Sequence, residues 1–389
     1  MARSGTDVLV IGGGIIGLGV AWRSAQRGLA VTVVDPAHGG GAAQVAAGML
    51  APVTELQYGE EPLLRLGMAS NERYAAFAAE LSALTGLDTG YRQTGTLAVA
   101  LDSDDRAELR ELHAFHQRLG LDSHWLTGRE CRKLEPMLAP GVRGGLHVTD
   151  DHQVDGRRLS GALVRACELA GAQLHRAEAT ELLVEDGRAT GVRLSTGETL
   201  HAERIVLAAG SRSHLLPGLP EGVLPPIRPV KGQVLRLHMP DALLAVQGGT
   251  PFLSRNVRAV VRGQHIYLVP RADGELVIGA TTEEQGYDTT VTAGGVYELL
   301  RDAHELVPGL TELPLVETNA GLRPGSPDNA PLLGPTALPG LVAATGHYRN
   351  GVLLTPVTGD LLAEYLATGV TPELAVPFSP SRFGTKVPA

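Results

Sequence analysis

The feature that most constrains this chain is the run Val10-Ile11-Gly12-Gly13-Gly14-Ile15-Ile16-Gly17. It stands between two stretches of different period. Before it, residues 7–11 (DVLVI) form a short apolar run of the kind that makes a buried strand. After it, residues 15–28 read as a helix closed by Gly28, and residues 30–35 as a second β-branched strand ending in Asp35. The result is a βαβ unit, which calls for a parallel sheet. Each glycine has its own task. Gly12 permits the tight turn, Gly14 lets main chain approach a diphosphate, and Gly17 lets helix and strand pack closely. The N–H groups that open the helix favour an anion, and Asp35 is placed to accept hydrogen bonds from a ribose. A carboxylate there would repel a 2′-phosphate, so a nucleotide without one is expected.

The turn alone fits NAD as well as FAD. Three further features favour FAD. The unit opens the chain, ahead of any substrate-binding segment. The Gly/Ala-rich loop 39–50 follows the ribose acid, where a large cofactor needs close contact with main chain. Residues 204–210 (RIVLAAG) read as a late strand ending in small residues, which returns to the same nucleotide with Gly210 beside it.

A chain of 389 residues exceeds one simple core. From residue 228 onward the segments RPVKGQVLRLH, AVVRGQHIYLVPR and GELVIGATTEE alternate in character, with a hairpin turn at Ala272-Asp273-Gly274. The fold expected is α/β: a Rossmann-like FAD-binding domain with a parallel sheet, interrupted by an α+β substrate domain with a mainly antiparallel sheet. The expected segments are 1–88, 145–225 and 320–389 for the first, 89–144 and 226–319 for the second. Helices are expected at 61–85, at 103–120 with Ser103 as N-cap, at 156–172, at 293–306 and at 352–367. In the last, Thr355 is the candidate N-cap with Pro356 at the first helical position.

A net charge of −9 argues against nucleic acid, which needs a basic face. No window is apolar and long enough to span a bilayer, and the apolar run before the glycines is too short for a signal peptide. Two cysteines, Cys131 and Cys167, read as buried small hydrophobes rather than a disulfide framework. His113 and His116 read as solvated on a helix, Asp150-Asp151-His152 as an acidic loop, and Lys231 as support for a strand turn. No metal site is expected. A cytoplasmic enzyme is.

The whole pattern resembles the D-amino-acid oxidase group of flavoproteins, and within it the glycine oxidases. The marks are VIGGGIIG at the start, AAGML at 46–50, PVKGQ at 229–233, YLVPR with LVIGAT at 267–281, AGLRPGSPD at 320–328 and GHYRNGVLLTPVTG at 346–359. The resemblance implies non-covalent FAD, and no cysteine follows Cys167 to attach it. It implies a small amine oxidised by molecular oxygen: glycine to its imine, then to glyoxylate and ammonia, with hydrogen peroxide released. It also implies a homotetramer and a place in thiamine synthesis.

Carried over residue by residue, the resemblance makes Tyr267, Arg323 and Arg349 the substrate-handling residues, with Thr282 beside them. It puts flavin contacts at Ile15, Ile16, Asp35, Pro36, Ala42, Ala43, Ala47, Gly48 and Met49, and at the main chain near Glu181. Further contacts fall on His347, Tyr348, Arg349, Asn350, Gly351, Val352 and Leu353. Two departures stand out. Ala43-Gln44-Val45 replaces a hydroxyl-bearing stretch, and Thr282 stands where a methionine can occur.

The chemistry suits these residue types. A guanidinium fork binds a carboxylate bidentately and so fixes orientation as well as affinity. Arg323 is the expected fork, Tyr267 adds a hydrogen bond, and Arg349 is expected at the pocket mouth, recruiting the carboxylate. The helix that follows is expected to aim its N–H groups at the flavin. Two other readings share the fold: a D-amino-acid dehydrogenase passing electrons to a quinone, and a flavin-binding subunit without its own catalysis.

Overall fold

The computed structural model describes residues 5–246, 248–249 and 251–384; the ends of the expected segments, 1–4 and 385–389, lie outside it. The chain opens with β1 (Thr6–Ile11), α1 (Ile15–Gln26), β2 (Val31–Val34), β3 (Met49–Leu50) and α2 (Glu61–Thr85). Then come β4 (Thr96–Ala100), α3 (Ser103–Arg118), β5 (His124–Thr127), α4 (Gly128–Leu134), β6 (Gly144–Val148) and β7 (His152–Gln153). The middle holds α5 (Gly156–Leu169), β8 (Gln173–His175), β9 (Ala179–Glu185), β10 (Arg188–Leu194) and β11 (Thr199–Leu207). Next are β12 (Arg228–His238), α6 (Asp241–Val246), β13 (Asn256–Val261), β14 (Gln264–Pro270), β15 (Glu275–Gly279) and α7 (Ala293–Leu306). The chain closes with β16 (Leu315–Gly325), β17 (Leu332–Pro335), β18 (Leu341–Thr345) and α8 (Gly351–Thr368).

Two large sheets divide these strands. The first runs β17-β18-β11-β1-β2-β8, parallel from β18 to β8, with β17 antiparallel at its edge. Its strands are nearly all apolar because both faces are covered. Leu18 and Trp22 of α1, Leu163 of α5 and Leu354 of α8 pack on one face. The β9–β10 ribbon and residues 216–227 cover the other. The second sheet runs β16-β12-β15-β14-β13-β4-β6-β5 and is antiparallel except where β13 meets β4. Helix α7 and Leu138, Val142 close one of its faces. The other face looks toward the first domain. The α/β fold with one parallel and one mainly antiparallel sheet is therefore as the sequence suggests. The expected boundary at 320 falls inside β16, which belongs to the second sheet over its whole length, and that at 145 falls inside β6.

Several local readings need correction. The N-cap of α3 is Asp102, whose Oδ1 accepts from the N–H groups of Asp104 and Asp105, and not Ser103. A carboxylate there satisfies two orphan donors and faces the positive helix end. His116 is fully buried beneath residues 53–58, so burial holds its imidazole neutral and lowers its pKa to about 4. Asp151 does lie in the loop between β6 and β7, but it is fully buried there rather than exposed. Its two oxygens accept from Val53 N (3.2 Å), Thr54 N (2.7 Å) and Thr54 Oγ1 (2.6 Å). Lys231 is buried within β12, and its ammonium pairs with Glu283 at 3.2 Å.

Helix α8 begins at Gly351, one turn earlier than a Thr355 cap would allow. Pro356 then sits inside the helix, where it has no N–H to give to the Val352 carbonyl. Helix α2 supplies the missing donor: Tyr74 Oη donates to Val352 O at 2.9 Å, and Ser70 Oγ to Leu353 O at 2.6 Å. Thr355 spends its hydroxyl on Gly351 O at 2.8 Å.

Candidate active site

The nucleotide end of the site is built from main chain. Gly12 has φ +108°, and a Cβ there would stand 2.4 Å from Ala208 O. A Cβ on Gly17 would stand 1.9 Å from Gly12 O, so helix and turn can meet only without one. Gly14 is different: nothing in the protein approaches its Cβ position closer than 3.9 Å. It opens α1 without a side-chain cap, and no acidic residue follows in the first turn. Asp35 accepts from Gly13 N at 2.7 Å and Ala37 N at 2.7 Å, one on each carboxylate oxygen. Each oxygen keeps a lone pair for a ribose hydroxyl. Uncapped N–H groups, an open Gly14 and a free acceptor fit a nucleotide diphosphate with an unmodified ribose. Gly210 lies beside this turn through Ala208, and its carbonyl accepts from Thr345 Oγ1 at 3.0 Å.

The loop after Asp35 and Pro36 is clamped from the second sheet. Arg271 is 4% exposed and donates to Ala47 O (2.5 Å), Gln153 Oε1 (2.7 Å) and Val154 O (3.2 Å). Gly48 has φ +73°, with Val154 O only 1.9 Å from where its Cβ would be. Ala42 and Ala43 form a short 3₁₀ turn against α5, and Ala47 and Met49 pack with Val234, Val269, Val277 and Tyr267. Ile15 and Ile16 sit at the start of α1, in the first core. Glu181 is apart from all of these. It lies in the β9–β10 ribbon, paired with Arg193 at 3.3 Å. The residue that the fold lays beside Asp35 is His175, whose carbonyl accepts from Asp35 N at 3.1 Å.

The second sheet supplies side chains. Arg258 of β13 stands directly opposite Tyr267 of β14, and Tyr267 opposite Gly279 of β15. Across β12, Gly232 pairs with Gly321, and Val230 with Arg323 of β16. The two glycines are hollows. A Cβ on Gly279 would be 2.4 Å from Tyr267 Oη, and one on Gly232 2.5 Å from the Arg323 nitrogens. Tyr267 and Arg323 therefore lie flat over the sheet, side by side. Burial raises the Tyr267 pKa, and the facing guanidinium of Arg323 opposes this. Arg323 donates to the main-chain oxygens of Thr281 (3.2 Å) and Lys231 (3.4 Å). Among the described residues no carboxylate pairs with it within 4.0 Å. Thr282 is exposed and makes no hydrogen bond among them; its neighbour Thr281 carries the contact.

Residues 347–353 join the two halves. His347 bridges Gly325 in an isolated antiparallel pair, so the end of the Arg323 strand is tied to the start of α8. The His347 imidazole is buried, meets Thr358 Oγ1 at 3.1 Å, and has its pKa lowered by burial to about 3. Tyr348 takes φ +48°, and the Arg349 guanidinium lies 5.5 Å from its ring centre. Asn350 opens α8 with no side-chain cap, and Gly351, Val352 and Leu353 form its first turn. Arg349 acts on Glu55 and Glu60, yet its Nε has no hydrogen-bond partner among the described residues.

Sequence reasoning missed Glu55, Arg258 and Arg271. Arg258 and Glu55 pair at 2.6 Å, with side chains 13% and 16% exposed. The one sequence signal for Arg258 is a cation inside the otherwise apolar strand NVRAVV.

The family described as FAD dependent oxidoreductase matches residues 7–365. The bifunctional protein ThiO/ThiG of Trichormus variabilis is 36% identical over 97% of this chain, which spans 55% of that protein's length. The glycine oxidase of Geobacillus kaustophilus is 34% identical over 98% of both chains. The crystal structure of glycine oxidase from that organism superposes with TM-score 0.88 at 33% identity, covering 97% of this chain and 98% of the other. The structure of iminodiacetate oxidase from Chelativorans sp. BNC1 gives TM-score 0.83 at 29% identity, covering 96% and 98%. The match runs almost from end to end in both sequence and fold, and the chain belongs to the family of FAD-dependent oxidoreductases that includes the glycine oxidases.

Proposed function

We propose that this chain oxidises glycine and other small amino acids or secondary amines to the imine; the imine of glycine is hydrolysed by water to glyoxylate and ammonia, and the others to their own oxo acid and amine. FAD, when bound, supplies the hydride acceptor, and oxygen then gives hydrogen peroxide. The open N-terminus of α1, Asp35 and the loop 42–49 are the groups that would hold it, with residues 347–353 at the far end. The reading rests on one observation: Arg323 and Tyr267 lie together in two glycine hollows, with no carboxylate within 4.0 Å of the guanidinium among the described residues. A substrate carboxylate completes that arrangement. The fork fixes its orientation, and the Tyr267 hydroxyl donates to the same group. No base is required of the protein, because the amine can lose its proton to water. The neutral His347 imidazole keeps extra positive charge away from the start of α8.

A role in thiamine synthesis draws support from the ThiO/ThiG relative. The test is direct. Purified yellow protein is given glycine, sarcosine, D-alanine and D-proline in air, and peroxide and oxygen uptake are followed. Peroxide from glycine is expected. Flavin reduction without oxygen uptake would instead support a dehydrogenase with another acceptor.

A further inference from the structure

Three guanidiniums act on Glu55, two of them also on Tyr267, and they are not equivalent. Arg323 donates to the main-chain oxygens of Lys231 and Thr281 and pairs with no carboxylate among the described residues, where Arg349 also has an idle Nε. Arg258 is occupied: its Nη1 lies 2.6 Å from Glu55 Oε1, and both side chains are largely buried. Burial works to raise the Glu55 pKa, but the charges of Arg258, Arg349 and Arg323 outweigh it and hold the carboxyl below its ordinary value. Glu55 is thus a fixed anion that all three arginines feel. Its loop is also fixed. Buried Asp151 accepts from Val53 N, Thr54 N and Thr54 Oγ1, the two residues immediately before Glu55. His116 and Phe115 close the same loop from α3.

We propose that Glu55 is a specificity-determining residue that restricts this enzyme to substrates with one carboxylate, an inference that rests on the reaction proposed above. A monocarboxylic amine needs one fork, Arg323. A substrate with a second carboxylate, such as an imino-diacid, needs another, and Arg258, directly opposite Tyr267 on the same sheet face, is the candidate. Glu55 already pairs with one nitrogen of that fork, at 2.6 Å, and presents a like charge to any second acid group. Discrimination arises from the repulsive group as much as from the attractive one. The competing explanation is that the ion pair merely ties the loop to the sheet. In that case its loss weakens all ligands in parallel.

The experiment uses the full-length flavin-loaded protein and four forms: wild type, Glu55→Gln, Arg258→Leu and the double variant. Calorimetry gives the affinities for acetate and malonate, and oxygen uptake gives kcat and KM for glycine and iminodiacetate. In Glu55→Gln the malonate-to-acetate affinity ratio is expected to rise about tenfold or more. The iminodiacetate-to-glycine ratio of kcat/KM should follow it, through KM. In Arg258→Leu and in the double variant neither ratio should rise. An unchanged ratio in Glu55→Gln overturns the proposal, and so does an equal rise in the double variant. Should wild type yield no peroxide from glycine, the reaction reading fails, while the affinity ratio still decides this one. Asp151→Asn, which keeps Glu55 and Arg258 but removes the buried carboxylate that fixes the Glu55 loop, should move the ratio in the same direction by less.

Discussion

The two ends of the site are made in opposite ways. The nucleotide end is made of absent side chains: Gly12, Gly14 and Gly17 matter for the Cβ they lack. The proposed substrate end is made of present ones: Arg258, Tyr267 and Arg323 are brought together by the register of one sheet, and Glu55 reaches them from a loop outside it. A backbone motif is local, so its spacing survives in the sequence. A charge cluster is a tertiary property, and its members look like ordinary surface residues until the sheet is paired.

The sharpest break of this contrast is at Gly17. Gly17→Val forces a side chain onto Gly12 O, already 1.9 Å from the Cβ position. The loss should far exceed the ~1 kcal/mol of an average substitution. Little soluble yellow protein is expected, as read by flavin absorbance per protein. Arg323→Ala acts at the other end. It should keep its colour and lose about 2–5 kcal/mol of affinity for carboxylate ligands. Were titration with glycolate to show loss of flavin instead, the two ends would not be separable.

The support beneath each end gives smaller effects. Tyr74→Phe leaves the Val352 carbonyl without the donor that Pro356 cannot provide, at a cost of about 1–3 kcal/mol in thermal stability. The pH profile tests His116. Its folded pKa, about 4, lies below the ordinary value near 6.5, so the unfolded chain binds the proton more readily. Stability is then full above pH ~6.5 and is lost as pH falls toward 4, by about 2 kcal/mol between pH 7 and pH 5. His116→Leu should flatten that slope in melting experiments; an unchanged slope would show that other groups set it. Asp151 titrates near pH 6 because burial raises it, and its contribution has the opposite sign over pH 4–6. The variant comparison isolates His116 from it.

The same contrast explains what could be read from residues alone. The glycine spacing and Asp35 gave the parallel domain, and alternating strands gave the second sheet. Arg323, Tyr267 and Arg349 came from family resemblance, because nothing in composition separates them from other arginines and tyrosines. Asp151 and His116 were misread for one reason: a polar residue among polar neighbours looks solvated, and only the fold reveals that residues 53–58 cover it. Pro356 misled in the same way, since the rule that sets proline at a helix start ignores a donor arriving from another helix. Glu55 and Arg258 carry opposite charges 203 positions apart in the chain, and no local rule pairs them.

One small contact reaches further than its size. The bridge between Gly325 and His347 joins the tail of the arginine strand to the residue where α8 is launched. Peptide groups, not rotatable side chains, span that junction. On the function proposed above, the group that grips the carboxylate and the positive tip of the helix are thereby linked through main chain. A shift of the second sheet's edge would then be felt at the start of α8 as well as at Arg323.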